Sequence, residues 1–115
     1  SRERMDYYDR VMTTLEQRGI VVSAILLVDI HMGGTDSTLM RTFRHPELEE
    51  GQDVFYTMPN LTTPEGVNLY AACLDFLANR YSDGKHGRIH HWIMHNEVDA
   101  GYTWTNMGRQ PELVY

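Results

Sequence analysis

The chain has 115 residues, of which 42% are hydrophobic and 23% charged, and its formal net charge is −6. That length suits one small domain with a modest core. The acidic balance and the scattered lysines and arginines exclude a nucleic-acid interface and an attraction to anionic membranes, because both need clustered positive charge.

The first predicted element is a helix over residues 4–18. Its apolar residues recur at helical spacing, and Gly19 follows directly as a natural helix stop. The stripe consists of Met5, Tyr8, Val11, Met12 and Leu15.

A strand is predicted over residues 20–30, which read IVVSAILLVDI. The run is β-branched and almost wholly apolar, which is typical of a strand buried on both faces of a parallel sheet. The odd-numbered residues, which share one face of the strand, become polar at its carboxyl end, where Asp29 and His31 lie.

A loop is predicted over residues 32–61, a stretch rich in Gly, Asp, Glu and Pro that is unusually long for a compact domain. The second helix is predicted over residues 63–81. Thr62 and Glu65 fit a capping box at its start, and a one-sided apolar stripe follows.

The second strand is predicted over residues 88–96, and a loop over 97–115 completes the chain. The order helix, strand, long loop, helix, strand predicts an α/β fold whose two strands are adjacent and parallel. Ligands in such folds bind at the carboxyl ends of the strands. The side chains expected there are Asp29, His31, His95, Asn96 and Glu97.

The segment WIMHNEVDAG, residues 92–101, resembles the fourth-strand signature of clan A glycoside hydrolases, which fold as (β/α)₈ barrels. Residues 62–108 resemble more closely a domain-of-unknown-function family of bacterial proteins with a glycosidase-like barrel. That family combines LAxRYS, WIxxNEV and a Trp-x-Asn-Met-Gly segment. The matching residues here are Leu77, Ala78, Arg80, Tyr81, Ser82, Trp92, Ile93, Asn96, Glu97, Val98, Trp104, Asn106, Met107 and Gly108.

The resemblance implies a glycoside hydrolase that acts on a saccharide without a cofactor. Glu97 matches the general acid/base, which must hold a proton at the scissile oxygen, and Asn96 matches the residue that hydrogen-bonds the sugar 2-hydroxyl. The other expected substrate-binding residues are His95, Trp104, Asp29 and His31. His95 departs from the pattern, which has a small residue there. A secreted or periplasmic location is implied by the resemblance alone.

The resemblance also implies that the chain is a partial (β/α)₈ barrel segment. Two strands and two helices make about a quarter of such a barrel. A retaining glycosidase needs a second carboxylate about 5 Å from the first, and clan A barrels supply it from a later strand. The chain alone is therefore expected to be inactive, and its open sheet edges predict self-association.

Two alternatives remain open. The first is a metal-dependent hydrolase, because imidazoles and a carboxylate at the strand ends can hold zinc. The side chains of His91, His95 and Glu97 would lie on one face of the second strand, and His31 lies on the neighbouring strand. The second is a barrel that binds carbohydrate but catalyses no reaction. One geometric difficulty concerns Asn96 and Glu97, because strict alternation places them on opposite faces unless the strand end bends.

Overall fold

The fold is described from a computed structural model over residues 2–29, 38–48, 55–94, 96, 97, 105 and 107. It is a mixed α/β structure with two small sheets. Its elements in chain order are α1 (Arg2–Gln17), β1 (Ser23–Ile25), β2 (Val28–Asp29), α2 (Thr38–Phe43), β3 (Tyr56–Thr57), α3 (Pro64–Arg80) and β4 (His91–Ile93). No helix among the described residues is both long and apolar enough to cross a bilayer.

The chain forms two compact units that are interleaved in sequence. Unit 1 comprises Ser1–Ile25 and Ala72–Ile93, and unit 2 comprises Leu26–Ala71 and Met94–Tyr115. The boundary between the units therefore falls inside α3, whose first turns belong to unit 2 and whose last turns belong to unit 1.

The parallel sheet of unit 1 pairs β1 with β4. Ser23 lies opposite His91, and Ile25 lies opposite Ile93. Just before the paired strands, the carbonyl of Val22 accepts hydrogen bonds from the backbone N–H groups of His90 and His91, at 2.9 and 3.1 Å. The prediction of two adjacent parallel strands is confirmed, as are the two long helices.

Three glycines of unit 1 have positive φ, and two of them, Gly19 and Gly87, decide the path of the chain around α1. Gly19 follows α1 with φ of 65°, and its N–H donates to the carbonyl of Glu16 at 3.0 Å. The predicted helix stop is thereby confirmed. Gly87 has φ of 83° and lies directly against the backbone of α1, where a Cβ would overlap the carbonyl group of Met12. A side chain at position 87 is therefore excluded by both conformation and space.

A network of polar side chains ties α1 to the end of α3. The carboxylate of Asp9 accepts from Arg80 Nε at 2.8 Å, from Arg80 Nη2, and from the Tyr81 hydroxyl at 3.0 Å. His86 Nδ1 lies 3.3 Å from Asp9 Oδ2. The Arg80 hydrogen bonds lower the pKa of Asp9, while burial, followed by the bond to Asp9, raises the pKa of Tyr81 to about 12.

Replacing Asp9 with asparagine should lower the urea midpoint of unfolding at pH 7. The folded-state pKa of Asp9 lies below its ordinary value of 3.8, so the carboxylate stabilises the fold above that pH. This contribution is lost as the pH falls through the lowered pKa, and the difference between wild type and Asp9→Asn should shrink with it. Asp6→Asn, at an exposed position of the same helix, is the matched control. An equal loss in both variants would contradict the assignment.

The predicted strand over 20–30 is interrupted in the structure. Leu26 and Leu27 lie outside both strands, and Val28–Asp29 forms β2, which pairs antiparallel with β3 in unit 2. Val28 and its partner Thr57 are buried, at 6% and 2% exposure. The expectation of one continuous parallel strand is thus wrong beyond Ile25, because the second half finds a different partner.

The predicted loop over 32–61 contains α2 and β3 in its described parts, and the prediction is wrong there. Within this stretch, buried Asn60 is tied to the end of α2. Its backbone N–H donates to the carbonyl of Phe43 at 2.9 Å, and its side-chain nitrogen donates to the carbonyl of Thr42 at 3.2 Å. The segment is therefore held by tertiary contacts rather than by a local pattern.

The start of α3 is capped one residue later than predicted. Thr63 Oγ1 accepts from the N–H of Gly66 at 3.1 Å, while the Thr62 hydroxyl donates to Asn60 Oδ1 at 2.7 Å. Thr63 is thus the N-cap residue, and Thr62 and Glu65 do not form the predicted capping box. A Cβ on Gly66 would overlap the Asn60 carbonyl, so this glycine permits close packing of the cap.

Candidate functional site

Asn96 and Glu97 lie three and four residues after the end of β4 in the chain. The strand ends at Ile93, Asn96 is half-buried in a bend, and Glu97 is exposed. Glu97 has φ of 49°, the left-handed region that a residue with a Cβ seldom adopts. Because both residues lie beyond the strand, the alternation that would separate them does not apply, and the bend that the sequence required is present.

Glu97 differs from every other described residue with positive φ, since the rest are glycines. The left-handed conformation costs an L-residue roughly 1–2 kcal/mol. Within the described part of the chain, no hydrogen bond or ion pair of the Glu97 carboxylate offsets that cost. Residues in such sparsely populated backbone conformations are concentrated at functional sites.

Asp29 lies at the end of β2 and not on the parallel sheet. Its strand partner is Tyr56 of β3, and its side chain is half-buried. The prediction that one strand carries Asp29 to the carboxyl edge of the parallel sheet is therefore wrong. Asp29 nevertheless belongs to unit 2, the unit that also contains Asn96 and Glu97.

Three of the predicted substrate-binding residues lie outside the described residues. They are His31, His95 and Trp104. Their assignment as substrate-binding groups stays a prediction.

Other residues of the predicted family pattern have structural roles. Arg80 and Tyr81 hold Asp9 in unit 1, as described above. Met107 is buried against Met58 in the core of unit 2, and Thr105 is fully buried. These positions are accounted for by packing, whereas no contact among the described residues accounts for the positive φ of Glu97.

The residue that sequence reasoning missed is Tyr56, which β3 places directly opposite Asp29. The sequence predicts a loop at this position, within residues 32–61. The run Phe55-Tyr56-Thr57 consists of strong β-formers and was the available signal, although a strand of two residues shows no periodicity.

Asn60 begins the sequence Asn-Leu-Thr, which matches a glycosylation acceptor motif. Its side chain is buried and fully engaged, since Oδ1 accepts from the N–H and the hydroxyl of Thr62 while Nδ2 donates to Thr42 and Thr63. The motif is therefore part of the helix cap.

Among the described residues, no group of three or more metal-ligating side chains comes together. His91 lies on β4 with its Nδ1 3.0 Å from the hydroxyl of Ser23 on β1. His45 is buried in unit 2, and its Nδ1 accepts from the N–H of Glu47 at 3.1 Å. Burial lowers the pKa of the His45 imidazole.

These observations define a mixed α/β protein with a parallel strand pair and an exposed carboxylate on the turn after its second strand. The chain belongs to the family of unknown function DUF5722, whose family model matches residues 1–115. No curated protein and no solved structure matches the chain. The resemblance to a domain-of-unknown-function family is confirmed to that extent, and the glycosidase-like barrel stays a prediction.

Proposed function

We propose that the protein is a glycoside hydrolase and that this chain carries its general acid/base, Glu97. In this proposal the chain is a segment of a (β/α)₈ barrel, with β1 and β4 as neighbouring barrel strands. The second carboxylate, required as nucleophile or base, comes from elsewhere in the full-length protein.

The observation that carries the proposal is the position of Glu97. It is an exposed carboxylate in a left-handed conformation, four residues after the end of a strand in a parallel pair. Carboxyl ends of parallel strands are where α/β enzymes place reacting groups. A glutamate that adopts this costly conformation there is better explained by chemistry than by folding.

Asn96 has a separate role in the proposed mechanism. A side-chain amide beside the acid can hydrogen-bond the sugar 2-hydroxyl, and this bond strengthens as the oxocarbenium-like transition state forms. Glu97 meanwhile transfers its proton to the departing oxygen. Loss of the amide should therefore lower kcat without preventing proton transfer.

The proposal is tested with the full-length protein on aryl glycosides whose leaving groups differ in basicity. Glu97→Gln should be most damaging for basic leaving groups, which need protonation, whereas Asn96→Ala should affect all leaving groups alike. Inactivation of the wild type by a chelator, with metal content that falls in Glu97→Gln, would instead indicate a metal-dependent hydrolase.

We also propose that the isolated chain self-associates. Ile25 and Ile93, which are strand partners, are 47% and 39% exposed, and parallel sheets are normally covered on both faces. Sedimentation should show a dimer or larger species at high concentration, and Ile25→Lys should shift it toward monomer. Tyr8→Lys, at an exposed position on α1, is the control. A stable wild-type monomer would contradict this.

A further inference from the structure

His45 lies in a short antiparallel contact within unit 2. Its backbone N–H donates to the carbonyl of Met58 at 3.1 Å, and the neighbouring residues Arg44 and Pro59 form an antiparallel bridge. Met58 is 3% exposed and packs with Met107 in the core of unit 2. The backbone of His45 is therefore joined directly to that core.

The imidazole of His45 is buried and acts as a hydrogen-bond acceptor. The residue is 6% exposed, and the backbone N–H of Glu47 donates to its Nδ1 at 3.1 Å. A backbone N–H can only donate, so Nδ1 carries no proton in this structure and the ring is uncharged. Uptake of a proton at Nδ1 would place two donors against each other and break this bond.

Protonation of His45 would also create a charge in a buried position. Such a charge is costly unless an opposite charge compensates it. Among the described residues, the charged group that acts on His45 is the carboxylate of Glu47. We infer that His45 is an acid-sensitive switch whose protonation releases residues 44–48 from the core of unit 2. The inference does not depend on the proposed function, because it concerns the opening of unit 2 alone.

The electrostatic surroundings of His45 give the direction of the pH dependence. Burial lowers the pKa of His45 from its ordinary value of 6.5, and the Glu47 carboxylate opposes this less strongly. The opened segment therefore binds a proton at a higher pH than the folded one. The stability that His45 contributes is complete above about pH 6.5 and is lost as the pH falls from there through the lowered pKa.

Hydrogen exchange of the full-length protein, followed by mass spectrometry, measures the opening of residues 44–48. Protection factors, corrected for the intrinsic pH dependence of exchange, are compared at about pH 7.5 and about pH 5.5, on either side of the ordinary imidazole pKa. The wild-type factor should fall on acidification by up to about tenfold per pH unit, the limit for uptake of one proton. His45→Asn should remove most of this fall, because an asparagine Oδ1 accepts from the N–H two residues on and does not titrate.

His91→Asn is the matched control. His91 is exposed, and its Nδ1 lies 3.0 Å from the Ser23 hydroxyl, which can donate or accept and therefore tolerates either protonation state. This variant should show the wild-type fall in protection at residues 44–48. A wild-type protection factor that is equal at both pH values, or a fall in His45→Asn as large as in the wild type, would overturn the inference.

Glu47→Gln provides a second test that leaves the imidazole in place. Removing the carboxylate leaves the protonated ring uncompensated, so protection should fall further at acid pH than in the wild type. This variant decides the matter if His45→Asn does not fold. A fall in Glu47→Gln that is no larger than the wild-type fall would contradict the assignment.

Discussion

Replacing Glu97 with glutamine in the full-length protein should lower saccharide hydrolysis by about 10²–10⁴-fold, the usual contribution of a general acid/base. Glutamine preserves the size of the side chain and part of its hydrogen bonding, but it cannot give up and regain a proton. The loss should be smallest for substrates with good leaving groups, because these depart with little protonation.

Azide should partly restore the activity of Glu97→Gln if the enzyme retains anomeric configuration. A strong anionic nucleophile opens the glycosyl-enzyme without the assistance of a base. The matched control is Glu65→Gln, which neutralises another exposed glutamate, in the first turn of α3. Glu65→Gln should retain wild-type rates. Unchanged hydrolysis of every saccharide by Glu97→Gln, with unchanged metal content, would remove the catalytic role from Glu97.

The largest loss of stability is expected for Gly87→Ala. The methyl group would overlap the backbone of α1 at Met12 and Thr13, and neither a helix carbonyl nor a helix amide can rotate away as a side chain does. The positive φ adds a second penalty. Together these should cost roughly 3 kcal/mol or more of unfolding free energy, enough to unfold many small domains.

Gly19→Ala separates the two causes of that loss. Gly19 also has a positive φ, of 65°, but a Cβ there would meet no atom within 4 Å. Its cost should be about 1 kcal/mol, the conformational penalty alone. Urea unfolding of both variants measures the difference. Equal losses would show that the approach of Gly87 to α1 does not contribute.

The sequence predicted the elements whose signals are long and local. Helix α1 has an apolar stripe and a terminal glycine, and α3 has a similar stripe. The two apolar runs before Asp29 and before Asn96 predicted adjacent parallel strands, and β1 and β4 have that arrangement. In each case hydrophobic periodicity over ten or more residues, or a β-branched run, is read directly from the chain.

The remaining features depend on which distant segment serves as partner. The apolar run continues without interruption through Leu26 and Leu27, so nothing local indicates that Val28–Asp29 leaves the parallel sheet to pair with β3. Strand β3 has two residues and α2 has six, too few for a periodic pattern. The pairing of Asp29 with Tyr56 was hidden for the same reason.

The missing knowledge of strand partners affected the prediction of Asp29 but not that of Asn96 and Glu97. Asn96 and Glu97 are neighbours in sequence, so their proximity required no knowledge of the fold. The need for a bend after β4 follows from the alternation of side chains along a strand, and the structure has a bend at Asn96. The placement of Asp29 required the strand partner to be known, and that placement was the one that failed.

The interleaving of the two units has a consequence for biosynthesis. The backbone N–H of Val22 donates to the His90 side chain, 68 residues later, and within the described part of the chain the strand that pairs with β1 is β4. At about 5–20 residues per second, a ribosome needs roughly 3–14 s to add that stretch. Throughout this interval the nascent β1 lacks its β4 partner, and unit 2 is incomplete until Met94–Tyr115 has been made. Folding on the ribosome should therefore be late and concerted, and aggregation during synthesis should be sensitive to codon usage between β1 and β4.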